Sequence, residues 1–219
     1  TLSTYDRQLA GDLPIWIDGA WYTIPTRYTY SGVPIDKATR WAGEHLAELG
    51  LGVEYHAWDD ATNPNVIGTI TGTLNPDDIY IICAHIDAVS TTPGADDDAS
   101  GSSGVLVAAD IMSQYQWGCT LRFALWTGEE QWMLGSDAYA DRAAMRGENI
   151  VGVLNLDMIG RMDRNVLAHV IPPRRQGRAN QCVRSNTPIW YLDDSTAAAP
   201  CQSEWAASAR LGAFTRTWP

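Results

Sequence analysis

The chain has 219 residues, 45% of them hydrophobic and 19% charged, enough for one domain with a full core. Its formal charge of -11 excludes nucleic acid or an anionic membrane as the main partner, because both need basic surface. No apolar run approaches the ~18 residues of a membrane-spanning helix.

Residues 1–24, "TLSTYDRQLAGDLPIWIDGAWYTI", show no clear period and are expected to form an irregular strap or a short edge strand. With no Met and no basic or apolar leader at Thr1, a targeting segment is expected to have been removed or never included. From Pro34, "PIDKATRWAGEHLAELG" sets Ile35, Ala38, Trp41, Ala42, His45, Leu46 and Leu49 on one helical face, with Gly50 as the stop. "VEYHAW" and "NVIGTITGTL" read as strands, and "NPDD" as the turn into a third, "IYIICAH".

An acidic loop follows, "AHIDAVSTTPGADDDASG". It gathers four aspartates around one histidine with no basic side chain among them. Such a loop is either solvated or organised by something the sequence does not contain, and a divalent cation is the obvious candidate. Beyond it, "SSGVLVAADIMSQY" predicts a helix with Val105, Ala108, Ala109, Met112 and Tyr115 inward. "TLRFALW" predicts a strand, "MLGSDAYADRAAM" a helix and "NIVGVLNLD" a strand. Strands and helices alternating at this spacing indicate an α/β fold, a three-layer αβα sandwich on a mixed, mainly parallel central sheet.

His85, the "TGEE" stretch (Thr127 to Glu130) and Asp157 all fall at strand ends. In open α/β sheets the carboxyl ends of the strands form the ligand crevice. Zinc takes His nitrogen and carboxylate oxygen, with three protein ligands and a water in catalytic sites. His85 and Asp87 point to one side of an extended segment, so Asp87 can orient the imidazole. Asp97 can bridge two ions through its two oxygens. Glu129 and Glu130 diverge, so one can ligate metal while the other faces water as general base. Asp157 completes a first ion with His85 and Asp97. Taken singly, each feature has an ordinary explanation: a loop histidine, a turn in which Ser100 or Ser102 caps the next helix, favourable charge at a helix start. Their common order and placement argue for a site.

The run "AHIDAVS…PGADDDASGSSGVL…LRFALWTGEEQWMLGS…NLDMIG" resembles the co-catalytic di-zinc exopeptidases, metallopeptidase family twenty-eight, which includes secreted bacterial leucyl aminopeptidases. The resemblance runs from about Arg27 to Gly160. It implies that His85 and Asp157 bind one zinc and Glu130 a second, with Asp97 bridging. It also implies that Glu129 is the general base and Asp87 orients His85, with a cis peptide between Asp97 and Asp98. The implied activity is removal of N-terminal residues from peptides by a metal-activated water. Its substrate is a peptide with a free N-terminus and its location extracellular or periplasmic; a monomer is expected.

The family pattern needs a further zinc-binding histidine downstream, and His169 lies too soon after Asp157 to match it. Residues 161–219 carry eight Arg, no Lys and four acids, a composition unlike the acidic first 160 residues. The organisation expected is therefore a 1–24 strap, a 25–160 catalytic core and a 161–219 atypical tail of the same domain. That tail is divergent, mistranslated or frameshifted, or else a variant end with a Cys182–Cys201 disulfide. Two functions follow: a zinc aminopeptidase, or a truncated or inactive peptidase-like domain that holds one zinc or peptide without turnover.

Overall fold

The computed structural model describes residues 1–59 and 64–160, together with the backbone of the strand Ala168–Ile171. The 161–219 tail, the Cys182–Cys201 pairing and the side chain of His169 lie outside the described residues.

The helix expected after Pro34 forms as α2, Val33–Glu48. Proline is tolerated in a first helical turn, where its missing N–H has no intrahelical partner. Asp36 adds favourable charge there, and Gly50 ends the run with φ +83°. Its buried residues, Ile35, Ala38, Thr39, Ala42, Gly43 and Leu46, recur at helical spacing.

Six strands build the main sheet: β3 Gly52–His56, β4 Asn65–Ile70, β5 Asn75–His85, β6 Cys119–Trp126, β7 Asn149–Leu156 and β8 Ala168–Ile171. Their spatial order is β3-β4-β6-β5-β7-β8. β5 is parallel to both β6 and β7, while the β3–β4, β4–β6 and β7–β8 pairs are antiparallel. Four strands, β3, β5, β6 and β7, consequently run one way, so the carboxyl ends of the three central ones open on a single edge. "NPDD" is not a free turn. It is drawn into the start of β5, with a register slip between Asn75 and Ile79, because Leu74 and Asn75 both bond the carbonyl of Gly118.

Alternating strand residues feed two apolar layers. Val66, Phe123 and Leu125 face α2 and α3 (Gly101–Met112). Ile67, Ile79, Ile81, Cys83, Ala124 and Trp126 face Tyr139 and Ala143 of α4 (Leu134–Arg146). This is the expected three-layer sandwich. The inward face of α3 differs from expectation: Leu106 is fully buried, while Tyr115 lies past the helix end and is exposed.

The 1–24 segment is more ordered than its sequence suggests. Residues Leu2–Leu9 form helix α1, followed by a hairpin of β1 (Ile15–Ile17) and β2 (Ala20–Tyr22). Only Leu9 of α1 is buried, so hydrophobic periodicity carries no signal there. Distant partners hold the helix instead. Tyr5 donates 2.9 Å to Asp110 on α3 and lies 3.2 Å from His45 on α2.

Candidate metal centre

His85 is the last residue of β5, and its imidazole is buried. Nε2 lies 3.0 Å from Asp97 Oδ1 and 3.8 Å from Glu129 Oε2, while Nδ1 sits 3.5 Å from Asp87 Oδ1. Burial alone would depress the imidazole pKa, but Asp87, Asp97 and Asp98 outweigh it and push it up to about 11. Asp97 in turn is held below the usual carboxylate range, chiefly by its hydrogen bond to His85.

Asp87 is fully buried and ties three segments together. It accepts 2.7 Å from Thr29 Oγ1 and 3.2 Å from the backbone N–H groups of both Glu129 and Glu130. The two glutamates are thereby fixed against the end of β5. Behind them, buried Asn65 accepts 2.9 Å from the Thr127 N–H and donates 2.8 Å to the Gly135 carbonyl. Burial raises the Glu129 pKa; His85 opposes this, and Asp87, Asp157 and Glu130 reinforce it. An upward-shifted, partly exposed carboxylate is suited to receive a proton. Glu130 is raised by burial and by Asp97, and its Oε1 is buried without a hydrogen-bond partner among the described residues.

The Asp97–Asp98 peptide is cis, as the resemblance implies. The bond turns two consecutive aspartates to different tasks. Asp97 is 49% exposed, with Oδ1 towards His85 Nε2. Asp98 is buried, and its oxygens accept from the backbone N–H groups of His85 (3.2 Å), Gly101 (2.9 Å) and Met158 (3.2 Å). Burial and the neighbouring Asp157 push Asp98 up to about 8, against His85 and these backbone donors. Asp98 thus caps α3 in place of the expected Ser100 or Ser102. Ser102 Oγ instead donates 2.8 Å to the His85 carbonyl. A Cβ on Gly101 would stand 2.3 Å from the Leu156 carbonyl and 2.4 Å from Asp98, so only glycine lets α3 approach β7 here.

Asp157 follows β7 directly. Metal-competent atoms of His85, Asp98 and Asp157 lie within 4.8 Å of one another. His85 thus has Asp97 and Glu129 beside Nε2 and shares a cluster with Asp98 and Asp157, where Asp97 was the expected partner, and Glu130 is fixed by Asp87. One imidazole, several carboxylates and an orphaned glutamate oxygen form a donor set that fits zinc. Of the carboxylates near His85, Asp98 is bound up in backbone contacts, whereas Asp97 keeps an accessible oxygen.

Arg27 was not singled out by its sequence context. Its guanidinium is completely buried and donates to four backbone carbonyls: Ile86 (2.6 Å), Leu9 (2.5 Å), Pro93 (2.9 Å) and Gly94 (2.8 Å). Burial lowers its pKa to about 10, with Asp98, Asp87, Asp6 and Asp97 opposing, so it remains a cation at neutral pH. It is the buried countercharge that the acidic loop itself does not contain.

The sequence profile of Peptidase family M28 matches residues 65–193, reaching beyond Gly160 into the tail. Leucine aminopeptidase 2 of Trichophyton equinum is 36% identical over 104 residues, 47% of this chain and 21% of that protein. A probable zinc metalloprotease of Pyricularia oryzae is 36% identical over 104 residues, 44% of this chain and 21% of that one. The chain thus spans about a fifth of the length of these curated relatives. The LapA aminopeptidase of Legionella pneumophila superposes with a TM-score of 0.60 at 16% identity, over 72% of this chain and 42% of that structure. A Zn-dependent exopeptidase from Parabacteroides distasonis gives 0.55 at 18% identity, over 73% and 61%. At such identities these structures speak for the fold alone. The profile match over more than half the chain carries the assignment: the chain belongs to Peptidase family M28.

Proposed function

We propose that this chain is the catalytic core of a zinc aminopeptidase that removes N-terminal residues from peptides. The observation that carries this reading is that His85 Nε2 has Asp97 at 3.0 Å and Glu129 at 3.8 Å. His85, Asp97 and Asp157 would hold the first zinc, with Glu130 and the second oxygen of Asp97 offered to another. Zinc, when bound, polarises a carbonyl and brings the pKa of water to about 7.

The remaining chemistry belongs to the side chains. Glu129, shifted upward, takes the proton of the attacking water and delivers it to the departing amine. Asp87 faces His85 Nδ1 at 3.5 Å and holds both glutamates by their backbone, so ligand and base share one neighbour. The carboxylate-rich walls favour a cationic substrate α-amine, which accounts for exopeptidase rather than internal cleavage.

The residues named supply three ligands to the first ion and two carboxylates to the second. Carboxylate and water alone hold borderline-soft zinc less well than sites with an imidazole, so the first site is expected to be the tighter. A monomer acting outside the cytoplasm belongs to the same reading. Among the described residues no helix is long and apolar enough to cross a membrane.

The test is Glu129→Gln in the full chain, with metal analysis and an aminoacyl-anilide assay. Unchanged zinc with turnover lowered ~10²–10⁴-fold supports the assignment. Loss of zinc in the variant would make Glu129 a ligand. Zinc without turnover in the parent chain would favour the non-catalytic, one-zinc domain.

A further inference from the structure

We infer that Arg27 is a positioning residue that assembles the metal centre before any metal binds, by fixing the backbone on both sides of the ligand-bearing loop. The inference rests on the zinc-site reading above and concerns a residue that touches neither metal nor substrate.

The guanidinium donates to three separate pieces of chain. One bond goes to Ile86, the residue between His85 and Asp87. Two go to Pro93 and Gly94, which lead into the turn carrying Asp97. The fourth goes to Leu9, at the end of α1. The backbone of Arg27 joins in, its carbonyl accepting 3.2 Å from the Ala88 N–H. Residues 86–94 therefore close around one side chain, and the ends of the loop are held in register by a planar group.

Gly94 has φ +62°, and a Cβ there would stand 2.9 Å from Arg27 Nη2 and 2.6 Å from the Ala88 Cβ, so the loop is fitted tightly to the guanidinium. Asp87, Asp97 and Asp98 crowd around His85. Arg27 is a fixed buried cation whose charge acts on Asp98, Asp87 and Asp97 without occupying the ion's place. Lysine would keep the charge but not the brace. Its three donors radiate from one nitrogen and do not reach carbonyls on three segments, whereas the guanidinium presents five in a rigid fork.

The experiment compares Arg27→Lys with the unmodified full chain, both stripped of metal. Zinc affinity is read by competition with a chromophoric chelator, and folding by circular dichroism, at a temperature well below unfolding. The expected result is a folded Arg27→Lys chain that binds zinc at least tenfold more weakly. In Arg27→Ala, added ethylguanidinium should restore part of the affinity. A folded Arg27→Lys chain within twofold of the parent overturns the inference, as does a lowered melting temperature with unchanged affinity, which is what a purely structural residue would give.

A second measurement needs no variant, so it decides the matter even if every substitution unfolds. In the metal-free parent chain the Arg27 Nε–H should exchange slowly with solvent. Exchange as fast as at surface arginines, slowing only when zinc is added, would mean that the metal organises the loop and Arg27 does not. A parent chain that binds no zinc at all would contradict the zinc site, and the Nε–H measurement would then judge the brace alone.

Discussion

Replacing Asp87 by Asn separates its role as a mount from that of a ligand, because the side chain keeps its shape and loses one acceptor and its charge. The carboxylate serves Glu129 N–H through Oδ1, and Glu130 N–H and Thr29 Oγ1 through Oδ2. The less costly orientation of the amide turns its NH2 towards Thr29, whose hydroxyl can rotate to accept. The carbonyl oxygen then keeps Glu129. The Glu130 N–H is left facing a donor beside the fully buried Asp87 position. One orphaned buried donor costs about 1–3 kcal/mol. At about 2 kcal/mol the melting temperature of the metal-free chain should fall by about 4–8 °C, given about 2–4 °C per kcal/mol at this chain length. His85 also loses the negative charge beside Nδ1, so zinc affinity should fall about 10–100-fold. Differential scanning calorimetry on stripped protein and chelator competition read the two effects separately. A melting temperature within 1 °C (about a quarter to half a kcal/mol at the same rate) together with zinc affinity within twofold would refute the role given to Asp87.

Gly94→Ala should destabilise the chain by about 2–4 kcal/mol, since it combines a left-handed backbone with a Cβ 2.5 Å from the Asp97 carbonyl; urea unfolding checks this, and an unchanged midpoint would contradict the fitted loop. His56 gives a pH dependence away from the metal. Burial, and then Arg142, lower its pKa below the ordinary value, and its Nδ1 lies 3.0 Å from the Asn65 amide that also donates to Gly135. The depressed folded pKa means that this contribution to stability is present above about pH 6.5 and is lost as pH falls through the folded value. Between pH 7 and 5 the parent chain should therefore lose more stability than His56→Gln, and equal losses would count against the network.

How much of this was legible in the sequence depended on where the controlling contacts lie. β5, β6 and β7 announce themselves as apolar runs, β6 because it is mostly buried on both faces, and His85, the TGEE stretch and Asp157 stand just where those runs end. The residues that hold the ligands in place were silent. Arg27 meets its carbonyl partners at separations of 18, 59, 66 and 67 residues, and Asn65 meets Thr127 at 62, so no local pattern marks either. Asp98 was hidden differently. It sits in a row of three aspartates, and only the backbone geometry separates the capping carboxylate from the outward one beside it. Helix α1 escaped because one buried leucine gives no period to read.

The most direct measurement is anomalous diffraction at the zinc edge from crystals of the full chain grown with zinc. The account predicts a strong peak at bonding distance, about 2.0–2.2 Å, from His85 Nε2 and from oxygens of Asp97 and Asp157, and a second, weaker peak beside Glu130. A peak ligated by Asp98 in place of Asp97, or none near His85 in crystals that hold zinc elsewhere, would contradict it.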